Sequence, residues 1–172
     1  MSQQASPGDA PASRHRPQLM VPGNMDGQFE ESFLDVVEFI ESNYNVYKDK
    51  AHRALAGLSM GGFHSLHISK HYPDTFGYIG LFSAAINPNR GADSPIYKDT
   101  DAKLKRQFDK KPALYWIAIG NTDFLYQENV KFRNYLDEKG YQYEYMESEG
   151  GHIWKNWRIY LTEFVPCILY TS

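Results

Sequence analysis

Strand-length apolar runs alternate with helical stretches along this chain, and that alternation leaves few folds open to it. His52–Gly57, Tyr78–Ser83, Ala113–Ile119 and Tyr141–Glu147 read as strands. Met60–Tyr72, Thr100–Lys110, Glu128–Lys139 and Ile153–Tyr170 read as the helices that follow them. A series of βα units predicts an α/β fold with a mainly parallel sheet flanked by helices. Ahead of the first strand, Phe29, Phe33, Val36, Val37, Ile40 and Tyr44 share one face of a helix, with Asp26 as its cap. Pro73 stops one helix and Gly140 caps another, while Pro166 is expected to kink or shorten the last.

Composition narrows the class further. The chain has 172 residues, which at roughly 150 residues per domain predicts one domain. Residues 1–16 are rich in Ser, Gln, Pro and Ala and read as a disordered lead, without the apolar region of a signal peptide. Residues 17–172 read as a single domain, opening on a short strand end at Gln18–Pro22. Asn87–Pro95 is turn-rich and reads as an excursion over the sheet. Net charge is −3, from 18 basic and 21 acidic residues, which argues against nucleic acid or an anionic membrane as partner. No apolar stretch approaches the length of a membrane span. The one cysteine, Cys167, allows no intrachain disulfide and leaves the compartment open.

Gly57-Leu58-Ser59-Met60-Gly61 matches G-x-S-x-G, with an apolar strand before it and a helix after it. A chain turning that sharply has no room for flanking side chains, so Gly57, Gly61 and Gly62 are expected to relieve the crowding. Ser59 is then presented as a nucleophile, and the Met60 N–H, at a helix N-terminus, as an oxyanion donor. The alternative is a glycine-rich strand–helix turn that merely contains a serine.

A serine hydroxyl needs a base, and the base needs an orienting carboxylate. In this kind of fold they come later in the chain, on loops after strands. Asp123 follows the strand ending at Ile119, and His152 follows the strand ending at Glu147. Asp93, Asp99, Asp101 and Asp109 lie in the excursion or a charged helix and read as solvated surface. Glu149 shares the turn of His152, His15 falls in the lead and His52 starts a strand. His64, His67 and His71 could share a helix face, but no carboxylate or cysteine close in sequence completes a metal site. They read as a partly exposed face, with no metal and no cofactor. Beside the two loops stand Phe124, Trp154 and Trp157. Phe124 and Trp154, with Leu58, are candidates to contact substrate. Trp154 divides evenly between pocket and core, and Trp157 reads as a core anchor.

Arg53–Gly62, Ile119–Tyr126 and Gly150–Leu161 together resemble the esterase D-like α/β-hydrolases, and within them the bacterial feruloyl and acetyl-xylan esterases of carbohydrate esterase family one. The resemblance runs from about Gln18 to Leu169. It implies serine esterase chemistry with Ser59 as nucleophile, His152 as base and Asp123 as orienter. It implies hydroxycinnamic or acetic esters of plant cell-wall sugars as substrates, and a secreted or periplasmic setting. An S-formylglutathione-type thioesterase, an acyltransferase of similar fold and a non-catalytic binding remnant are the alternatives. Family members carry several strands before the elbow, one of which leads to a second oxyanion donor. Neither that strand nor its loop has a counterpart here, so the fold is expected to be shortened at its N-terminal side. The strand at His52–Gly57 would then present a free edge, through which the chain is expected to form a homo-oligomer.

Overall fold

The computed structural model describes residues 26–86 and 93–169. The lead at 1–16, the strand end at Gln18–Pro22, most of the turn-rich excursion and Tyr170 lie outside the described residues. In chain order the elements are α1 (Gln28–Glu31), α2 (Phe33–Asn43), β1 (Ala54–Leu58), α3 (Met60–His71), β2 (Tyr78–Phe82), α4 (Thr100–Asp109), β3 (Leu114–Gly120), α5 (Tyr126–Glu138), β4 (Glu144–Ser148) and α6 (Trp154–Leu169). The four strands form one parallel sheet in the order β1-β2-β3-β4. Leu58 sits opposite Phe82, Phe82 opposite Ala118, and Gly120 opposite Ser148. The loops that leave β1, β3 and β4 therefore emerge at the same end of the sheet.

β2 and β3 are buried along their whole length, as strands covered on both faces must be. On one face Ile79, Leu81, Tyr115 and Ile117 pack with Leu66 of α3, Leu104 of α4, and Phe132 and Leu136 of α5. On the other, Tyr78, Phe82, Trp116 and Ala118 pack with Tyr160 and Phe164 of α6. Each such side chain taken from water contributes about 1.5–3 kcal/mol. A smaller cluster of Leu55, Ile68 and Phe76 receives Phe33 and Val37 of α2. α2 buries none of its residues fully, and Glu41 ties it to Arg53, the residue before β1, through an ion pair.

Several element boundaries differ from the sequence expectation. The predicted long helix breaks at Ser32, whose hydroxyl bonds back to the Gln28 carbonyl at 2.8 Å. Gly27, at φ 91°, is the cap residue of α1, yet the Asp26 carboxylate still accepts the Gln28 N–H at 3.0 Å. β1 starts at Ala54 because Lys50–His52 form a tight 3₁₀ turn in which His52 Nδ1 reaches Asp49 at 2.7 Å. β4 starts at Glu144, so of the alternating tyrosines only Tyr145 lies in it. Tyr141 instead closes α5: its N–H bonds the Leu136 carbonyl, and Gly140 adopts φ 69°. Its ring stacks on Phe108 with centroids 4.4 Å apart. α6 runs through Pro166 to Leu169, so the proline lies in the last turns and does not end the helix.

Candidate active site

Between β1 and α3 the chain reverses within one residue. Ser59 takes φ 55° and ψ −115°, a conformation that costs energy for any residue with a Cβ. Two neighbouring glycines make the turn feasible. A Cβ on Gly57 would come within 2.2 Å of the Gly61 carbonyl carbon, and one on Gly62 within 2.5 Å of the Ala84 Cβ. Gly61 itself has open space around its Cα, so the crowding expected there is absent. The turn is pinned to the sheet by Ser59 N–H to Phe82 O at 2.9 Å and Ala85 N–H to Ser59 O at 3.1 Å. Met60 opens α3, and the first N–H groups of a helix have no partner within it.

The loops after β3 and β4 interlock. Asn121 N–H bonds the Ser148 carbonyl at 2.9 Å, and Thr122 N–H bonds the Gly150 carbonyl at 3.1 Å. A Cβ on Gly120 would fall 2.1 Å from the Gly150 oxygen, so only glycine lets the two loops approach. From α6, Asn156 donates to the carbonyls of Glu149 and Gly151, both at 3.0 Å, while being almost fully buried. These bonds set the loop that carries His152. Asn156 and Asn121 escaped the sequence reading; the available signal for Asn156 was an amide placed among the aromatics of a helix's first turn.

The result is a continuous hydrogen-bonded chain. Ser59 Oγ lies 2.8 Å from His152 Nε2, and His152 Nδ1 lies 2.8 Å from Asp123 Oδ2. The Asp123 carboxylate is fully buried, and its other oxygen accepts the Leu125 N–H at 2.9 Å. With a carboxylate at Nδ1, the imidazole carries its proton there and turns a lone pair toward the serine. Such an arrangement can take a proton from Ser59 and stabilise the imidazolium that results.

Aromatic rings surround the histidine. Phe124 sits 4.7 Å from the His152 ring and Trp157 meets it edge-on at 4.9 Å. Trp157 is half-buried against the β2–β3–α6 core and also holds Trp154, at 5.1 Å. Phe124 and Trp154 are 76% and 67% exposed, so neither is a core anchor. Leu58, the last residue of β1, is half-buried and leans on the same core as Trp157.

The other candidates lie elsewhere. Asp93 pairs with Lys98, Asp109 with Lys105, and His52 with Asp49. Asp99 caps α4 and Asp101 lies in its first turn. Of the histidines on α3, expected to form a partly exposed face, His64 and His71 are half-buried and only His67 departs from that reading. His67 is buried, and burial drives its pKa down to about 2; His64 meets the fully buried Glu30 at 2.8 Å, a partner 34 residues earlier that sequence proximity does not reveal. Among the described residues no group of three or more His, Cys, Asp or Glu could hold a metal, and no helix is long and apolar enough to cross a membrane.

Residues 23–168 match the family model named Esterase. The chain is 32% identical over 155 residues to an acetyl esterase of Caldicellulosiruptor saccharolyticus, a match covering 74% of this chain and 58% of that protein. It is 32% identical over 134 residues to an endo-1,4-beta-xylanase/feruloyl esterase of Xylanibacter ruminicola, covering 76% of this chain and 16% of that one. The chain thus spans little more than half the length of the first relative and a small part of the second. Its fold superposes on an S-formylglutathione hydrolase of Staphylococcus aureus with a TM-score of 0.68 at 20% identity, covering 81% of this chain and 63% of that one.

Proposed function

Because the chain belongs to the Esterase family, we propose that it is a serine esterase in which Ser59, His152 and Asp123 form the catalytic relay. The observation that carries this reading is the 2.8 Å–2.8 Å chain from a strained serine, through one imidazole, to a buried carboxylate. Ser59 Oγ attacks the ester carbonyl carbon while His152 Nε2 takes its proton. Negative charge developing on the carbonyl oxygen is met by the Met60 N–H and the N-terminal end of α3. The intermediate collapses, the alcohol leaves with the proton from His152, and an acyl group remains on Ser59. Water, activated by the same imidazole, then releases the acid and restores the serine.

For substrates, we propose feruloyl or acetyl esters of plant cell-wall polysaccharide. The exposed Phe124 and Trp154 beside His152 support an aromatic acyl group or a sugar ring lying across them. The test is a panel of feruloyl, coumaroyl and acetyl esters. The feruloyl and coumaroyl esters are expected to give the higher kcat/KM, and Trp154→Ala to narrow that gap while acetyl hydrolysis persists. An equal loss on both classes would remove Trp154 from the binding surface.

We further propose that two copies associate through β1. Among the described residues this strand pairs only with β2, which leaves its other edge without a partner strand among them. Light scattering over a concentration series should show a dimer; a monomer at every concentration would refute it.

A further inference from the structure

A second cavity lies away from the relay, in the helical layer where α3, α4 and α5 meet. Its volume is about 570 Å³, within the range of small-molecule sites. Phe63, Leu66, Leu104, Phe132 and Tyr135 give it a largely apolar and aromatic wall. One side of that wall is Lys70, whose residue has no solvent exposure at all.

A buried lysine needs compensation, and here it is incomplete. Lys70 Nζ bonds the Thr100 hydroxyl at 2.8 Å, its one hydrogen bond given among the described residues. An ammonium has three protons to donate, and no carboxylate stands within ion-pair distance of this one among the described residues. The acids that share the cavity are engaged or more distant: Asp93 pairs with Lys98, and Asp101 acts on Lys70 only through longer-range attraction. Burial, with Lys103 adding repulsion, lowers the Lys70 pKa to about 7. One more polar atom of the lining, Nδ1 of His67, is buried without a partner.

We propose that this cavity is a binding site for an aromatic carboxylate, with the carboxylate paired to Lys70 and the ring held among Phe63, Phe132 and Tyr135. One negative charge supplies what Lys70 lacks, and the apolar wall accepts the ring. A phosphate fits less well, because it has no apolar part to set against the aromatic wall and its second charge would be buried without a further cation. The relay at Ser59 takes no part, so the site stands or falls separately from the esterase reading.

Calorimetry with 4-hydroxycinnamate tests this on the full chain after treatment with a fluorophosphonate, with the adduct checked by mass spectrometry. An unlabelled chain would count against the reading of Ser59 and leave the comparison of variants intact. The expected result is one site, retained after labelling, weakened at least tenfold in Lys70→Met and abolished in Ile86→Trp, which fills the half-buried wall. Octanoate should bind at least tenfold more weakly than 4-hydroxycinnamate, and inorganic phosphate should not bind. If Lys70→Met does not fold, Ile86→Trp decides. Binding unchanged in these variants, binding lost on labelling, octanoate binding as tightly, or phosphate binding would each overturn the proposal.

Discussion

The interior strands and the α2 flank both carry apolar sequence and use it differently. β2 and β3 bury every residue between two helical layers. α2 has an apolar face, yet Val36 and Ile40 on it are 51% and 39% exposed, and β1 is only partly covered. The site draws on both: Asp123 follows the buried β3, while Ser59 and His152 follow the less covered strands β1 and β4. Its three loops start from strand ends held in register by a packed sheet, which fixes Ser59, Asp123 and His152 to hydrogen-bonding distance. Amphipathic periodicity therefore marks a face able to pack, and only the arrangement of neighbours decides whether it does.

The largest effect separates chemistry from folding. Ser59→Ala and His152→Ala are each expected to lower kcat by about 10⁴-fold or more, because such residues act as a unit. Thermal unfolding should barely move, since neither side chain anchors the core. Steady-state kinetics beside a melting curve checks both; a large fall in Tm would mean that the relay also carries the fold.

Next is the second layer of the site. Asn156→Ala should lower kcat by about 10²-fold through misplacement of the His152 loop. Adding Asn121→Ala to it should lower kcat less than the two single losses combined, because both side chains bond this one loop. Equal activity in Asn156→Ala and wild type would show that the loop holds its shape without α6.

The contrast between regions is tested by paired truncations. Ile117→Ala in β3 should cost about 2–5 kcal/mol, and Phe39→Ala on α2 less than about 0.5 kcal/mol. Denaturant midpoints give both values. A Phe39 cost comparable to that of Ile117 would mean that α2 packs far more tightly in solution.

The α/β class was legible in the sequence because parallel strands buried on both faces read as unbroken apolar runs, as Tyr78–Phe82 and Leu114–Gly120 do. The three residues that the structure joins by hydrogen bonds were legible because Ser59 directly follows a strand, and Asp123 and His152 each follow a strand and a tight turn. What stayed hidden was set by contacts distant in sequence. Nothing near Ser32 announces that the helix will break there, and the tyrosines at 141 and 143 mimic strand alternation while one of them closes a helix. Glu30 beside His64 and Asn156 beneath the His152 loop became neighbours only through folding.

A smaller effect concerns pH. The Lys70 pKa is near 7 in the folded chain and 10.5 for a free lysine, so the unfolded chain binds more protons between those values. Stability is therefore expected to rise with pH from about 7 to 10 through this group, and Lys70→Met should flatten that slope and stabilise the protein at neutral pH. Denaturation at several pH values reads it directly; an unchanged slope in the variant would place the titration elsewhere.

The most direct test of the relay is the reaction of Ser59 with a fluorophosphonate, followed by peptide mass spectrometry. One adduct per chain, on Ser59, is expected, formed at least 10²-fold more slowly in His152→Ala and in Asp123→Asn. An adduct on another serine, or labelling of Ser59 at the same rate in all three proteins, would contradict the assignment.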